Sequence, residues 1–140
     1  MKKLALAAAL IFSACARSGS DLPAIHYGRD ACARCGMIIG EERFAAGYVG
    51  ADGETVAFDD LGEFLTAVSK DPALVAKSHV HDAQDGRWLR ASQAVFVKLS
   101  GLATPMGSGY AAFGSEAEAK DYARRLGRSF AEPVVTLASR

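Results

Sequence analysis

The sequence predicts an α+β fold built from two halves of similar design. Each half is predicted as strand, turn, strand and helix, and a phenylalanine, Phe58 or Phe113, stands just before each helix cap. A helix with one apolar stripe needs the face of a sheet to cover it, which is the arrangement of an α+β domain. With 140 residues, 50% of them hydrophobic, the chain suits one compact unit or two small ones that share a core.

The N-terminus predicts export and lipid anchoring. A short basic start precedes an unbroken apolar run over residues 4–12. This run is too short to span a bilayer, which takes about 20 residues, and is typical of a secretory signal. Small residues before Cys15 match the site of a lipoprotein signal peptidase. We expect residues 1–14 to be the signal peptide and residues 15–30 to be a lipidated cysteine with its tether. The alternative is an ordinary cleaved signal.

Location and charge lead to further expectations. Several acyl chains on Cys15 would hold the protein firmly to a lipid bilayer. We expect it on the periplasmic side of a bacterial membrane, and the sequence does not distinguish the inner membrane from the outer one. The 16 basic residues balance 16 acidic ones, and no basic run stands out. This balance indicates no nucleic acid partner.

The first half begins with a hairpin. Strands over 44–50 and 55–58 flank an Asp-Gly turn, which is a strong hairpin signal. Asp59 or Asp60 then caps a helix that runs to about Lys70, where an Asp-Pro step ends it.

The second half repeats this order. A strand over 94–99 leads through a glycine-rich stretch to a short strand over 110–113. Ser115–Glu118 is a capping box, because the serine and the glutamate satisfy each other's backbone donors. The helix runs to about Leu126, and a final strand covers 133–137.

The two cysteines beyond Cys15 are Cys32 and Cys35, and their spacing leaves three alternatives open. An oxidising compartment favours a disulfide, while a zinc knuckle usually needs a second Cys or His pair. A redox pair of the thioredoxin type belongs at a strand-to-helix junction. The segment that starts at Gly36 opens no convincing helix, which argues against redox catalysis.

The methionines favour a soft metal site. Met37 follows Gly36, and Met106 lies between Pro105 and Gly107, whereas a methionine that fills a core normally occupies an apolar helical position. Thioether and thiolate sulfur are soft donors that suit Cu(I). Because a thioether has no proton to lose and forms no disulfide, a mixed Cys/Met site can carry Cu(I) through an oxidising space.

Other polar residues are weaker candidates. His79 and His81 stand at strand spacing, which points both imidazoles to one face. They could complete the metal site, although a solvated strand face is the more common role of such a pair. Helix capping accounts for Asp59 and Asp60, and we expect Trp88 to anchor the core.

Taken in order, several of these elements resemble the NosL family, lipoproteins described as nitrous oxide reductase accessory proteins. The resemblance runs from about Cys32 to Phe113 with order and spacing intact. It is carried by Cys35-Gly36-Met37, Phe58-Asp59-Asp60-Leu61-Gly62, Trp88, Pro105-Met106-Gly107 and Ala112-Phe113.

This resemblance implies a monomeric Cu(I) carrier, not an enzyme, that supplies copper to nitrous oxide reductase together with an ABC-type membrane complex. It implies two similar ββαβ lobes, which we place at about 32–82 and 88–138 within a domain of residues 31–138. Cys35, Met37 and Met106 match the family's ligand positions.

Cys32 is a departure, since many members have a single cysteine in this element. We expect Cys32, His79 and His81 to be candidates for a further copper ligand. The rival functions are a membrane-anchored thiol–disulfide oxidoreductase that uses Cys32 and Cys35, and a module in which a disulfide or zinc only braces the fold.

Overall fold

The computed structural model describes residues 21–138. Within this range the strands form two antiparallel sheets. The predicted signal peptide, the lipidation site at Cys15 and the first part of the tether lie outside the described residues. Among the described residues, no helix has both the length and the apolar character needed to cross a membrane.

The first sheet has four strands in the order β2-β1-β3-β4. These are β1 (Ala46–Val49), β2 (Thr55–Phe58), β3 (His79–His81) and β4 (Trp88–Arg90). The hairpin of β1 and β2 is confirmed, with Ala46 opposite Phe58. The first strand is shorter than predicted, because Glu42–Phe44 forms a 3-10 turn that buries the side chain of Phe44.

Two helices follow the hairpin. Helix α1 (Leu61–Lys70) begins at Asp60, whose side chain accepts a hydrogen bond from the backbone N–H of Gly62. Its buried residues recur at helical spacing and form one apolar face: Leu61, Phe64 and Val68. The short helix α2 (Leu74–Lys77), which the sequence analysis did not predict, carries the chain into β3.

The second sheet has three strands in the order β6-β5-β7. They are β5 (Val95–Lys98), β6 (Tyr110–Phe113) and β7 (Val135–Thr136). Helix α3 (Glu116–Arg125) begins at Ser115, whose hydroxyl accepts from the backbone N–H of Glu118 at 3.2 Å. The chain then turns at Gly127, with φ of +62°, a conformation that favours glycine.

Both lobes follow the predicted order strand, strand, helix, strand. The first runs β1, β2, α1, β3, and the second runs β5, β6, α3, β7. The placement of Trp88 differs from expectation. It was assigned to the second lobe as a core residue, but β4 pairs with β3 and extends the first sheet to Arg90. Trp88 is only partly buried, and its ring stacks on His81 with centroids 3.6 Å apart.

The lobes share a core through α1, which packs against β1 and β2 on one side and against β6 on the other. Phe64 of α1 contacts the ring of Phe96 in β5, with centroids 6.2 Å apart. Side chains alternate along a strand, so Val97 points to the opposite face, into the cluster that α3 covers. The start of α1 is thereby held firmly where the two lobes meet.

Candidate metal site

A tight turn presents the two cysteines. The backbone N–H of Cys32 donates to the carbonyl of Met37 at 2.8 Å, and that of Gly36 donates to the carbonyl of Cys32 at 2.9 Å. Gly36 has φ of +75°, which a residue with a side chain rarely adopts. This glycine allows the chain to reverse directly after Cys35, so that both thiols lie within one closed turn.

Contacts with the first lobe hold this turn in place. The backbone N–H of Ala33 donates to the carbonyl of Ala57 in β2 at 2.8 Å. The guanidinium of Arg34 forms an ion pair with Glu63 in α1. The turn is therefore attached at the junction between β2 and α1.

Three donor groups converge there. One ligand atom each from Cys32, Cys35 and Asp59 lies within 4.8 Å of the other two. The Sγ of Cys35 donates to Oδ1 of Asp59 at 3.5 Å. Cys32 and Asp59 are buried, and both thiols are free. A cluster of two thiols and a carboxylate at this spacing can close around a single metal ion.

Asp59 also shows a deficit of hydrogen bonds. Its Oδ2 is buried without any hydrogen-bond partner, although a buried polar atom left unpaired costs about 1–3 kcal/mol. A buried polar atom without a partner calls for an explanation, and a bound ion is one of them. The donor set of thiols with one carboxylate suits a soft or borderline cation.

Burial raises the pKa of the Cys35 thiol to about 11. A hydrogen bond from the backbone of Met37 opposes this rise, while the neighbouring Cys32 and Asp59 add to it. Cys35 is therefore protonated at neutral pH in the free protein, and a metal ion that binds its sulfur must displace the proton.

Asp60 brings the distant Met106 loop to the same place. Its Oδ2 accepts from the hydroxyl of Thr104 at 2.6 Å and from the backbone N–H of Met106 at 2.9 Å, while its Oδ1 caps α1 through Gly62 at 2.7 Å. Burial alone would raise the pKa of Asp60, but hydrogen bonding with Ser108, together with the three bonds above, lowers it below its usual value. The backbone of Met106 is thus bonded to the residue that follows Asp59.

Gly62 allows the loop to approach α1 closely. A Cβ atom at this position would lie 2.5 Å from the Cβ of Ser108, too close for two carbon atoms. The absence of a side chain at Gly62 therefore brings the Met106 loop against the first turn of the helix.

Both methionines lie at the surface. The exposed fraction is 50% for Met37 and 42% for Met106, so neither fills the core. Ile38, beside Met37, is 54% exposed. We call these three residues the apolar rim. Large apolar side chains exposed in this way are available to a partner, and thioethers at the surface remain available to a metal.

The model of the NosL family matches residues 24–132. The chain belongs to the NosL family. Its structure is similar to the crystal structure of the copper chaperone NosL from Shewanella denitrificans, with a TM-score of 0.60 and 20% sequence identity, covering 81% of this chain and 90% of that one. At this identity the likeness concerns the fold. A search of curated proteins found no match.

The two histidines of this NosL-family chain do not lie on a solvated strand face, and that expectation is wrong. Both are buried, and burial lowers their pKa values. Because Nδ1 of His81 donates to the carbonyl of Gly86 at 2.7 Å, its Nε2 accepts from the hydroxyl of Tyr27 at 2.8 Å. Neither histidine belongs to the cluster formed by Cys32, Cys35 and Asp59.

Asp59 is a candidate ligand that the sequence analysis did not propose. Helix capping by Asp59 or Asp60 was taken to account for the pair, but the side chain that caps α1 is that of Asp60. Because a helix has a single N-cap, the second carboxylate of the pair was the one signal in the sequence that could have pointed to Asp59.

Proposed function

We propose that this protein is a membrane-anchored metallochaperone, not an enzyme, which binds one Cu(I) ion and delivers it for the assembly of nitrous oxide reductase. The observation that carries the proposal is the meeting of the Cys32–Met37 turn and the Met106 loop at the Asp59-Asp60 pair. Membership of the NosL family and the likeness to a copper chaperone support copper as the cargo.

Cys35, Met37 and Met106 supply sulfur to the ion, and Cys32 and Asp59 are the further donors within reach. Sulfur ligands select Cu(I) over harder ions. The neutral thioethers add coordination without adding charge. Since Cys35 is protonated in the free protein, loading releases its proton to solvent.

Delivery proceeds by ligand exchange at the apolar rim. A partner that presents sulfur or imidazole donors displaces the thioethers first, because both are exposed. The partners are nitrous oxide reductase or its ABC-type maturation complex. The protein works as a monomer on the periplasmic side of the membrane, held by acyl chains on Cys15.

The raised pKa of Cys35 argues against a thiol–disulfide oxidoreductase. Catalytic thiols of that class usually have lowered pKa values, because the thiolate is the nucleophile, whereas burial raises the pKa of Cys35 to about 11. The buried Cys32 is a poor substitute as the attacking thiol.

A Cu(I) titration against a competing chelator tests the proposal. The variants are Cys35→Ser, Met37→Leu and Met106→Leu, since leucine keeps the volume of methionine and removes only the thioether. We expect each variant to bind copper more weakly than the wild type. Leu126→Ala, at an exposed apolar residue beyond α3, is the control and should bind normally. If both leucine variants bind copper as tightly as the wild type, the thioethers are not ligands and the proposal is wrong.

A further inference from the structure

A second unsatisfied buried group lies at His79, outside the copper cluster. His79 is 4% exposed, and its Nδ1 is buried without a hydrogen-bond partner. The residue lies opposite Gly47 of β1 and Arg90 of β4 in the first sheet. Nothing in the copper site accounts for an orphaned imidazole nitrogen in this position.

His79 lines a small pocket on the surface of the first lobe. The cavity has a volume of about 230 Å³. Its lining comes from the start of the described chain, the end of β1, the end of α2, β3 and β4: Asp21, Val49, Ala76, Lys77, His79 and Arg90. It is large enough for a tetrahedral oxyanion together with water.

Two cations of this pocket have no carboxylate partner. Between Asp21 and Ala138, no acidic side chain forms an ion pair with Lys77 or Arg90. The ammonium of Lys77 lies over the ring face of Tyr48, with Nζ 4.4 Å from the centroid. Arg90 lies directly across from His79 in the sheet, so that the guanidinium and the imidazole are neighbours.

We propose that this pocket binds a phosphate group. Arg90 and Lys77 supply charge, and the guanidinium suits the geometry of phosphate oxygens. The imidazole of His79 forms the buried wall of the pocket beside these two cations, where it can report on a bound anion. Asp21 also lines the pocket, and its carboxylate opposes the binding of an anion.

The phosphate could belong to a lipid headgroup or to free inorganic phosphate. Asp21 lies six positions after Cys15 in the sequence. With acyl chains on Cys15, as proposed above, a fully extended tether places the pocket within about 20 Å of the bilayer surface. A headgroup is therefore within reach, and the pocket would then orient the domain on the membrane.

Histidine-detected ¹⁵N NMR on the purified protein tests the pocket with inorganic phosphate as the probe. We expect phosphate to shift the ring nitrogens of His79 and to leave the exposed His26 unchanged. Arg90→Gln and Lys77→Gln should each weaken binding about tenfold, a typical loss for one charged hydrogen bond. Arg29→Gln, at an exposed arginine outside the pocket, is the control. Asp21→Asn should tighten binding, because it removes the competing carboxylate.

Vesicles of phosphatidylglycerol form the second arm. A response of His79 to vesicles but not to inorganic phosphate assigns the pocket to a lipid headgroup, and a response to inorganic phosphate alone assigns it to the free ion. The proposal fails if His79 responds to neither probe, or if Arg90→Gln and Lys77→Gln bind as tightly as the wild type. The copper titration is independent of these outcomes, since it depends on other residues.

Discussion

Asp60 joins the Met106 loop to the start of α1, so the geometry of the proposed copper site depends on it. One of its oxygens caps α1 through Gly62, and the other accepts from Thr104 and from the backbone of Met106. Asp60→Asn changes few atoms and preserves a side chain that caps helices well. It places an amide NH₂ against two donors, however, so the Met106 loop loses its attachment to α1.

The expected loss of stability follows from those two contacts. Hydrogen bonds to a charged group contribute about 1.5–3 kcal/mol each, and donors left buried without a partner add to the cost. We expect Asp60→Asn to lower the free energy of unfolding by about 2–4 kcal/mol, because the two contacts are not fully additive. For a domain of this size the midpoint of thermal unfolding falls by roughly 10 °C.

The pH dependence of this loss has a definite sign. The pKa of Asp60 is lower in the folded protein than in the unfolded chain, so its contribution to stability is present above the unfolded pKa of about 4. That contribution disappears as the pH falls through the folded pKa. The difference in stability between wild type and Asp60→Asn should therefore be constant above about pH 5 and shrink below pH 4.

The copper affinity should fall as well, because Asp60 positions Met106 without being a ligand. Outer-shell partners of metal ligands typically contribute about 10–100-fold to affinity. In a double-mutant cycle, Asp60→Asn should cost much less affinity when Met106→Leu is already present. The assay is the chelator-competition titration with calorimetric unfolding of the same samples.

Asp82→Asn is the matched control. Asp82 is also a buried carboxylate that accepts hydrogen bonds, from Gln84, Arg87 and Gly114, none of which is a proposed copper ligand. It should lower the stability and leave the copper affinity of the folded protein unchanged. Equal losses of copper affinity in the two asparagine variants, or full additivity of Asp60→Asn with Met106→Leu, would refute the positioning role of Asp60.

Three further predictions concern the cluster and its surroundings. Copper affinity should rise with pH, because the pKa of Cys35 is about 11 and the ion must displace its proton. Calorimetry in buffers of different ionisation enthalpy measures the protons released on copper binding. Cys35→Ser should reduce that number by about one, and an unchanged number would contradict the prediction. Ile38→Ser should slow copper transfer to apo-nitrous oxide reductase but not to a small chelator, whereas Leu126→Ser should alter neither. A change from glycine to alanine within a helix normally stabilises a protein by about 1 kcal/mol. Gly62→Ala should instead destabilise this protein, because the new Cβ would collide with Ser108. The direction of the change in thermal unfolding temperature decides between the two.

Elements with local signals could be predicted from the sequence. The hairpin of β1 and β2, the caps at Asp60 and Ser115, and the end of α3 near Gly127 all depend on residues within one turn of each other. The ββαβ order of both lobes was expected for the same reason, with support from the family resemblance.

Features that depend on distant pairing could not be predicted in this way. Trp88 lies in the first lobe because β4 pairs with β3. The same pairing buries His79 and His81. The role of Asp59 depends on a turn more than 20 residues earlier in the chain folding against it. The spacing of residues along the sequence does not indicate such contacts.

X-ray absorption spectroscopy of the copper-loaded protein reports which elements surround the ion, and so decides whether sulfur from both loops holds it. We expect sulfur atoms in the first coordination shell, contributed by Cys35, Met37 and Met106, and one fewer of them in Met106→Leu. A shell of nitrogen and oxygen alone, or a sulfur count that Met106→Leu leaves unchanged, would contradict the claim that the two loops meet at one metal ion.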